Sequence, residues 1–291
     1  MKFTPSILAL TTLLVSAPIL AQNKGMKVIY GEDNRLDVFE STNSAYVELA
    51  KSTAAMIDGG SLKLLNNEEI EINATTLQGR GICAHERFSK QITAANCSGF
   101  LVAPNVLVTA GHCIRTAADC RNWKWVFDFK VDFAEQGKIV IPSESVYSCK
   151  KVISQSLSSV TKDDYAVIEL DRKVTDREPL KFRKAGKISK GAPLVVIGHP
   201  TGLPTKIADG ANVRSLETKY FVANLDTYGG NSGSAVFNAK THEVEGILVR
   251  GDTDYVYNRT YGCQVSNVCQ NDSCRGEDVT YITNIDALKK L

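Results

Sequence analysis

Residues 97–113 read CSGFLVAPNVLVTAGHC. Two apolar runs flank a Pro-Asn pair, which is typical of two strands joined by a tight turn. A histidine, His112, follows the second run and stands between a glycine and a cysteine. The pattern predicts a β-hairpin that carries a histidine at its end.

Short β-rich runs of the same kind recur outward from this hairpin, with turn residues between them. They are WKWVFDFKV, GKIVIP, DYAVIELD, PLVVIGHP, YFVANLD, SAVFNA and VEGILVRG. A polar connection from Asp171 to Pro179 divides the runs into two sets. We therefore expect an all-β fold of two tandem antiparallel β-barrels. The helical spacing of NIDALKKL, at the end of the chain, predicts a short C-terminal helix.

The N-terminal 21 residues have the build of a secretory signal peptide, with an early lysine, an apolar run from Ile7 to Leu20 and a small residue at Ala21. An uncleaved anchor or a buried helix is the alternative. Residues 22–80 are more polar and are expected to form an N-terminal arm or a propeptide. The main domain is expected at 81–291, with one barrel to about residue 172 and the other from about residue 180.

Composition excludes several classes of protein. The chain has 291 residues and a net charge of +2 with acidic and basic residues mixed, so it lacks the massed basic surface of a nucleic-acid-binding protein. Eight cysteines behind an export signal indicate an oxidising compartment and several disulfides. The cysteines form no paired C-x-x-C array and only four histidines are present, so we expect neither a metal site nor a cofactor.

Three polar residues in the β-rich part can act together: His112 in TAGHC, Asp164 in DDYAVIEL and Ser232 in GGNSGSAVF. Taken singly they fit a surface histidine, a strand-end cap and a solvated turn. Taken together they supply a nucleophile, the base that activates it and the acid that orients the base. Gly230 allows its own amide and that of Ser232 to converge where an oxyanion develops.

These three blocks, in this order, resemble the signature blocks of the trypsin/chymotrypsin-like serine proteases. Together with YGEDNRLDV upstream and IGHP at 197–200, they are most similar to the bacterial branch that contains the glutamyl endopeptidases. The resemblance implies the chymotrypsin-like double barrel, with His112 and Asp164 in the first barrel, Ser232 in the second and the active site in the cleft between them. It also implies a disulfide between Cys97 and Cys113.

The same resemblance implies a substrate-binding strand that pairs with the peptide backbone and lines the primary pocket, formed by Leu248, Val249, Arg250 and Gly251. Glutamyl endopeptidases carry a histidine where this chain has Leu248. Asp226 lies six residues before Ser232, the offset at which trypsins place the acid of the pocket. We therefore expect cleavage after Lys or Arg, although Asp226 bonding backbone amides, and Arg250 favouring acidic residues at outer subsites, remain open alternatives.

The function expected from the sequence is that of a secreted serine endopeptidase, extracellular or periplasmic, acting through an acyl-enzyme. The alternatives are a catalytically silent binding module on the same fold and a serine esterase with the same chemistry. Expected partners are protein or peptide substrates and a proteinaceous inhibitor, with no nucleic acid. The mature chain is expected to be a monomer without a membrane span.

Overall fold

The computed structural model describes residues 29–133 and 136–291, and most regular structure in them is β-strand. The signal peptide expected at 1–21 lies outside the described residues. Within them, no helix has the length and apolar character needed to cross a bilayer.

Twenty strands and two α-helices make up the described part of the chain. The strands are β1 (Ile29–Tyr30), β2 (Arg35–Asp37), β3 (Thr53–Asp58), β4 (Leu62–Leu64), β5 (Glu69–Ile72), β6 (Ala95–Ala103), β7 (Val106–Thr109), β8 (Trp123–Val126), β9 (Ile139–Pro142), β10 (Val146–Leu157), β11 (Asp164–Leu170), β12 (Pro193–Gly198), β13 (Lys206–Leu216), β14 (Tyr220–Ala223), β15 (Ala235–Asn238), β16 (Val244–Arg250), β17 (Tyr255–Asn258), β18 (Cys263–Ser266), β19 (Val268–Cys269) and β20 (Glu277–Tyr281). The α-helices are α1 (Ser44–Ala50) and α2 (Ala117–Asn122).

The first barrel contains the predicted hairpin. Strands β10, β11, β7, β6, β3 and β8 pair in that order and close on themselves, and every pairing is antiparallel. Strands β6 and β7 pair from Gly99 opposite Thr109 to Ala103 opposite Val106. A three-stranded sheet of β4, β5 and β9 accompanies this barrel.

The second barrel is a ring of β12, β15, β16, β20, β14 and β13, closed by the pairing of β12 with β13. Strand β2 extends it along the edge of β13. The predicted all-β fold of two antiparallel barrels is confirmed. The short C-terminal helix is a 3-10 turn over Asp286–Lys290.

Strand β12 shows why the apolar runs of this chain are continuous rather than alternating. Leu194 and Val196 belong to the cluster inside the second barrel, whereas Val195 and Ile197 belong to the larger cluster that also contains first-barrel residues. Successive side chains of a strand point to opposite faces, so both faces of β12 are buried. Packing of the barrels against each other therefore requires apolar residues on both faces.

The N-terminal segment corrects one predicted boundary. We expected residues 22–80 to be an arm or propeptide outside the main domain, but β3 is one of the six strands of the closed first barrel. Strand β2 pairs with β13 of the second barrel, and β1 pairs in parallel with β19. The described part of this segment is built into both barrels, and a domain boundary at residue 81 is too late.

A buried ion pair fastens β2 to the second barrel. Lys206 Nζ lies 2.6 Å from Asp37 Oδ1 and donates to Gln91 Oε1 at 2.8 Å. The side chains of Lys206 and Asp37 are 1% and 2% exposed. Burial lowers the pKa of Lys206 to about 8, against the opposing influence of the Asp37 carboxylate. Inside the protein, the contact with Asp37 rather than water therefore stabilises the charge of Lys206.

Replacing Lys206 with alanine is expected to lower the free energy of unfolding by about 3–5 kcal/mol, because Asp37 is left as an uncompensated buried charge. Urea unfolding measures the loss. Lys151, which pairs with Glu169 on the surface, provides the control, and its alanine variant should lose less than about 1 kcal/mol. Equal losses in the two variants would contradict the proposed role of the buried pair.

All eight cysteines lie in the described residues, and none is free. The four disulfides join Cys83 to Cys263, Cys97 to Cys113, Cys120 to Cys149, and Cys269 to Cys274. The pairing of Cys97 with Cys113, which the family resemblance implied, is present.

Candidate active site

His112 lies in a 3-10 turn, Gly111–Cys113, directly after the predicted hairpin. Strand β7 ends at Thr109, and the disulfide from Cys113 to Cys97 ties the turn back to strand β6. The His112 side chain is 24% exposed. The hairpin and the disulfide therefore hold an accessible imidazole in a fixed place.

Asp164, the first residue of β11, lies behind this imidazole. Its side chain is 3% exposed, and its Oδ2 is 2.9 Å from His112 Nδ1. The backbone N–H of His112 donates to Asp164 Oδ1 at 3.1 Å. An ionised carboxylate only accepts hydrogen bonds, so this contact favours the neutral tautomer with its proton on Nδ1. The Nε2 atom is then left to accept a proton.

Ser232 lies in the loop between β14 and β15, which is fixed against strand β6. The backbone N–H of Ser98 donates to the Ser232 carbonyl at 2.8 Å, and Ser98 Oγ donates to the Gly230 carbonyl at 2.8 Å. The Ser232 carbonyl also lies 3.7 Å from Cys113 Sγ. The loop thus brings Ser232 beside the turn that carries His112.

Gly230 is required by the shape of this loop. Its φ is +93°, and a Cβ there would lie 2.5 Å from the His199 carbonyl oxygen. Any other residue at this position would therefore strain the backbone, and its Cβ would overlap the His199 carbonyl oxygen. The glycine keeps backbone, rather than a side chain, next to Ser232, as an oxyanion site made of amides requires.

A cavity of about 120 Å³ opens beside Ser232. Four residues predicted for the substrate-binding strand line it: Leu248, Val249, Arg250 and Gly251. The other lining residues, which the sequence had not assigned to the binding strand, are Thr227, Tyr228, Gly229, Asp252, Asp254 and Glu277. Glu277 opens an apolar strand in GEDVTYI, as Asp164 does in DDYAVIEL, so the same pattern could have identified it.

Asp226 does not line this cavity, and its predicted place in the pocket is wrong. It is buried, and its Oδ1 and Oδ2 accept hydrogen bonds from the backbone N–H groups of Tyr30 and Asn34 at 2.7 and 2.9 Å. Burial raises the pKa of Asp226 to about 6, although both amide bonds favour the ionised form. Its carboxylate therefore binds the backbone of the N-terminal segment. The sequence did not indicate that this segment lies next to the loop of Asp226.

The guanidinium of Arg250 is committed to acidic groups of the protein. Its Nε is 3.0 Å from Asp278 Oδ2, and its Nη1 is 3.6 Å from Asp164 Oδ2. Its Nη2 donates to the Lys162 carbonyl at 3.2 Å. This arrangement disfavours the alternative in which Arg250 binds acidic residues at outer subsites. Arg250 instead supports the carboxylate behind His112.

Replacing Arg250 with glutamine is expected to reduce kcat by about fivefold, because a partly exposed charge pair contributes about 1 kcal/mol to holding Asp164. Arg275 provides the control, since it pairs with the same Asp278 carboxylate, whereas the ion pairs of Asp164 are with His112 and Arg250. The Arg275→Gln variant should retain kcat. Steady-state kinetics measures kcat for the two variants. Equal losses of kcat would show that Arg250 does not stabilise Asp164.

Comparisons with known proteins identify the family and the fold of this chain. A family model described as a trypsin-like peptidase domain matches residues 97–247. An extracellular metalloprotease of Bacillus subtilis (strain 168) is 28% identical in an alignment of 151 positions that covers 48% of this chain and 45% of that protein. The chain thus spans less than half the length of this curated relative.

Two solved structures share the fold. One is a Glu endopeptidase in complex with MPD, with a TM-score of 0.52 and 18% identity, covering 91% of this chain and all of the other. The second is the Vibrio cholerae VesB protease, with a TM-score of 0.52 and 15% identity, covering 86% of this chain and 64% of the other. At these identities the two similarities establish the fold alone.

Proposed function

Because this chain belongs to the trypsin-like peptidase family, whose model matches half of it, we propose that it is a serine endopeptidase that cleaves after Lys or Arg. The observation that carries the proposal is the His112–Asp164 pair beside the loop of Ser232. The pair supplies an oriented base, and the adjacent loop supplies a serine that lines a cavity.

The proposed reaction proceeds through an acyl-enzyme. His112 Nε2 takes the proton of Ser232 Oγ as the oxygen attacks the peptide carbonyl, and the amides of Gly230 and Ser232 stabilise the oxyanion. The imidazolium, held by Asp164, then gives its proton to the leaving amine as the C–N bond breaks. Water, activated by the same histidine, hydrolyses the ester and restores the serine.

The name of the Bacillus relative raises the question of a metal mechanism. Among the described residues, the one group of side chains close enough to hold a metal ion is Cys97, His112 and Cys113. Its two sulfur atoms form a disulfide and offer no thiolate, and His112 Nδ1 bonds Asp164. These residues do not fit a metal ion.

Export is part of the proposal. Four disulfides are expected in an oxidising compartment, and the Bacillus relative is described as extracellular. We propose extracellular or periplasmic protein and peptide substrates, which bind by pairing with residues 249–251, beyond the part of β16 that pairs with β15. A proteinaceous inhibitor occupying the same cleft and a monomeric state complete the proposal.

Hydrolysis of a diverse peptide pool tests this function, with a serine-directed sulfonyl fluoride and a metal chelator as the two inhibitors. The proposal expects internal peptide bonds to be cut, inhibition by the sulfonyl fluoride and resistance to the chelator. Inhibition by the chelator alone would contradict it. Ester cleavage without peptide cleavage would favour the esterase, and no hydrolysis by folded protein would favour the silent binding module.

A further inference from the structure

We propose that Glu277 is the specificity-determining residue of the cavity beside Ser232 and that it selects a cationic side chain on the acyl side of the scissile bond. The inference rests on the proposed peptidase function and deepens it. The acid of the pocket is then Glu277, on strand β20, rather than Asp226, whose carboxylate binds the backbone N–H groups of Tyr30 and Asn34.

Glu277 is the first residue of β20 and is 3% exposed. Its Oε2 accepts a hydrogen bond from Thr227 Oγ1 at 2.9 Å, and its Oε1 accepts one from the Asp252 N–H at 3.4 Å. Both of these partners line the same cavity. The carboxylate is therefore held in the wall of the cavity by residues of two loops.

Gly251 allows this close approach. A Cβ built on Gly251 would lie 1.8 Å from Glu277 Oε2, so any other residue there would displace the carboxylate. The glycine belongs to the segment predicted to line the pocket. Its lack of a side chain thus leaves room for an acid, in addition to allowing a substrate backbone to pass.

The charges around the cavity are mainly negative. Asp252 and Asp254 line it together with Glu277, and Asp254 Oδ2 is fixed by the Gly229 N–H at 2.7 Å. The cation of the lining, Arg250, directs its guanidinium to Asp278 and Asp164. The acids of the cavity are therefore left without a neutralising side chain from the described lining.

Desolvation makes this carboxylate responsive to a bound cation. Burial raises the pKa of Glu277 to about 8, despite the bonds from Thr227 and Asp252. Asp254 adds to this rise, and Arg275 opposes it. The Tyr30 hydroxyl is a further titratable neighbour, and its own pKa is raised by burial and by Glu277. A Lys or Arg side chain would stabilise the ionised form, whereas a Glu side chain would add repulsion.

The kinetic test compares kcat/KM for matched peptides that carry Arg, Lys, Leu or Glu at the acyl side. Wild type should prefer Arg and Lys, and Glu277→Gln should lower the Arg-to-Leu ratio by roughly 30-fold or more, as expected for loss of one partner of a desolvated charge pair. The control is Glu68→Gln, in the exposed turn between β4 and β5, which should keep the wild-type ratio. A preference for Glu, or an unchanged ratio in Glu277→Gln, would overturn the proposal.

A second measurement on the wild-type protein covers the case in which Glu277→Gln does not fold. Inhibition by benzamidine should strengthen about tenfold between pH 7 and pH 9, because the carboxylate ionises over this range, while inhibition by neutral benzamide should stay constant. Equal pH dependence of the two inhibitors would overturn the proposal. Failure of the peptidase function itself is distinguishable, since no peptide of the series would then be cut.

Discussion

The Ser232→Ala variant is expected to lose about 10⁶-fold in kcat for peptide hydrolysis while keeping its melting temperature. The hydroxyl is the proposed nucleophile, and a methyl group cannot form the acyl-enzyme, so the residual rate comes from binding and the oxyanion amides alone. Ser232 is partly exposed and contributes its backbone carbonyl to the fold, which the substitution leaves in place. Burst and steady-state kinetics on one peptide measure the loss.

The neighbouring serine of the same motif provides the control. Ser234 is fully buried and its Oγ donates to Asn231 Oδ1 at 3.2 Å, so this hydroxyl stabilises the loop. The Ser234→Ala variant should stay within about tenfold of wild-type kcat, the equivalent of one neutral hydrogen bond. The assignment would be wrong if the larger loss occurred in Ser234→Ala.

Asp164→Asn is expected to reduce kcat by about 10⁴-fold. An amide in place of the carboxylate directs a donor at His112 Nδ1, so the imidazole changes tautomer and Nε2 no longer accepts a proton. The size of the side chain is unchanged, and stability should be affected far less than activity. Kinetics and thermal unfolding of the same preparation separate the two effects.

The adjacent acid in DDYAVIEL is a matched control for this prediction. Asp163 faces away from the site: its Oδ1 accepts from Asn284 Nδ2 at 2.8 Å, and its Oδ2 lies 3.3 Å from Lys219 Nζ. Asp163→Asn should retain kcat within a few-fold. Similar losses in the two variants would mean that general charge near the strand, rather than the contact with His112, is responsible.

The parts of the fold that sequence could predict are those determined by local pattern. The hairpin at 97–113 follows from two apolar runs around a turn, and the two barrels follow from the repetition of such runs. The contact of Asp164 with His112 was also accessible, because TAGHC, DDYAVIEL and GGNSGSAVF occur in the order of the signature blocks that they resemble.

The N-terminal segment shows what sequence could not provide. Strand β3 enters the first barrel through pairing with β6 and β8, more than thirty residues away in the chain, and nothing in TAAMID identifies those partners. Asp226 was misplaced for the same reason. Its two hydrogen bonds go to Tyr30 and Asn34, nearly two hundred residues earlier, so no local pattern could distinguish a pocket acid from a carboxylate that binds backbone amides.

Mass-spectrometric mapping of the residue labelled by a fluorophosphonate tests whether Ser232 is the activated nucleophile. The reagent reacts with a serine only where a base accepts its proton and an oxyanion site is formed. We expect one adduct per chain, on the peptide that contains Ser232, and loss of the adduct in the Asp164→Asn variant. An adduct on Ser234, or no adduct on folded protein that still cleaves peptides, would contradict this assignment.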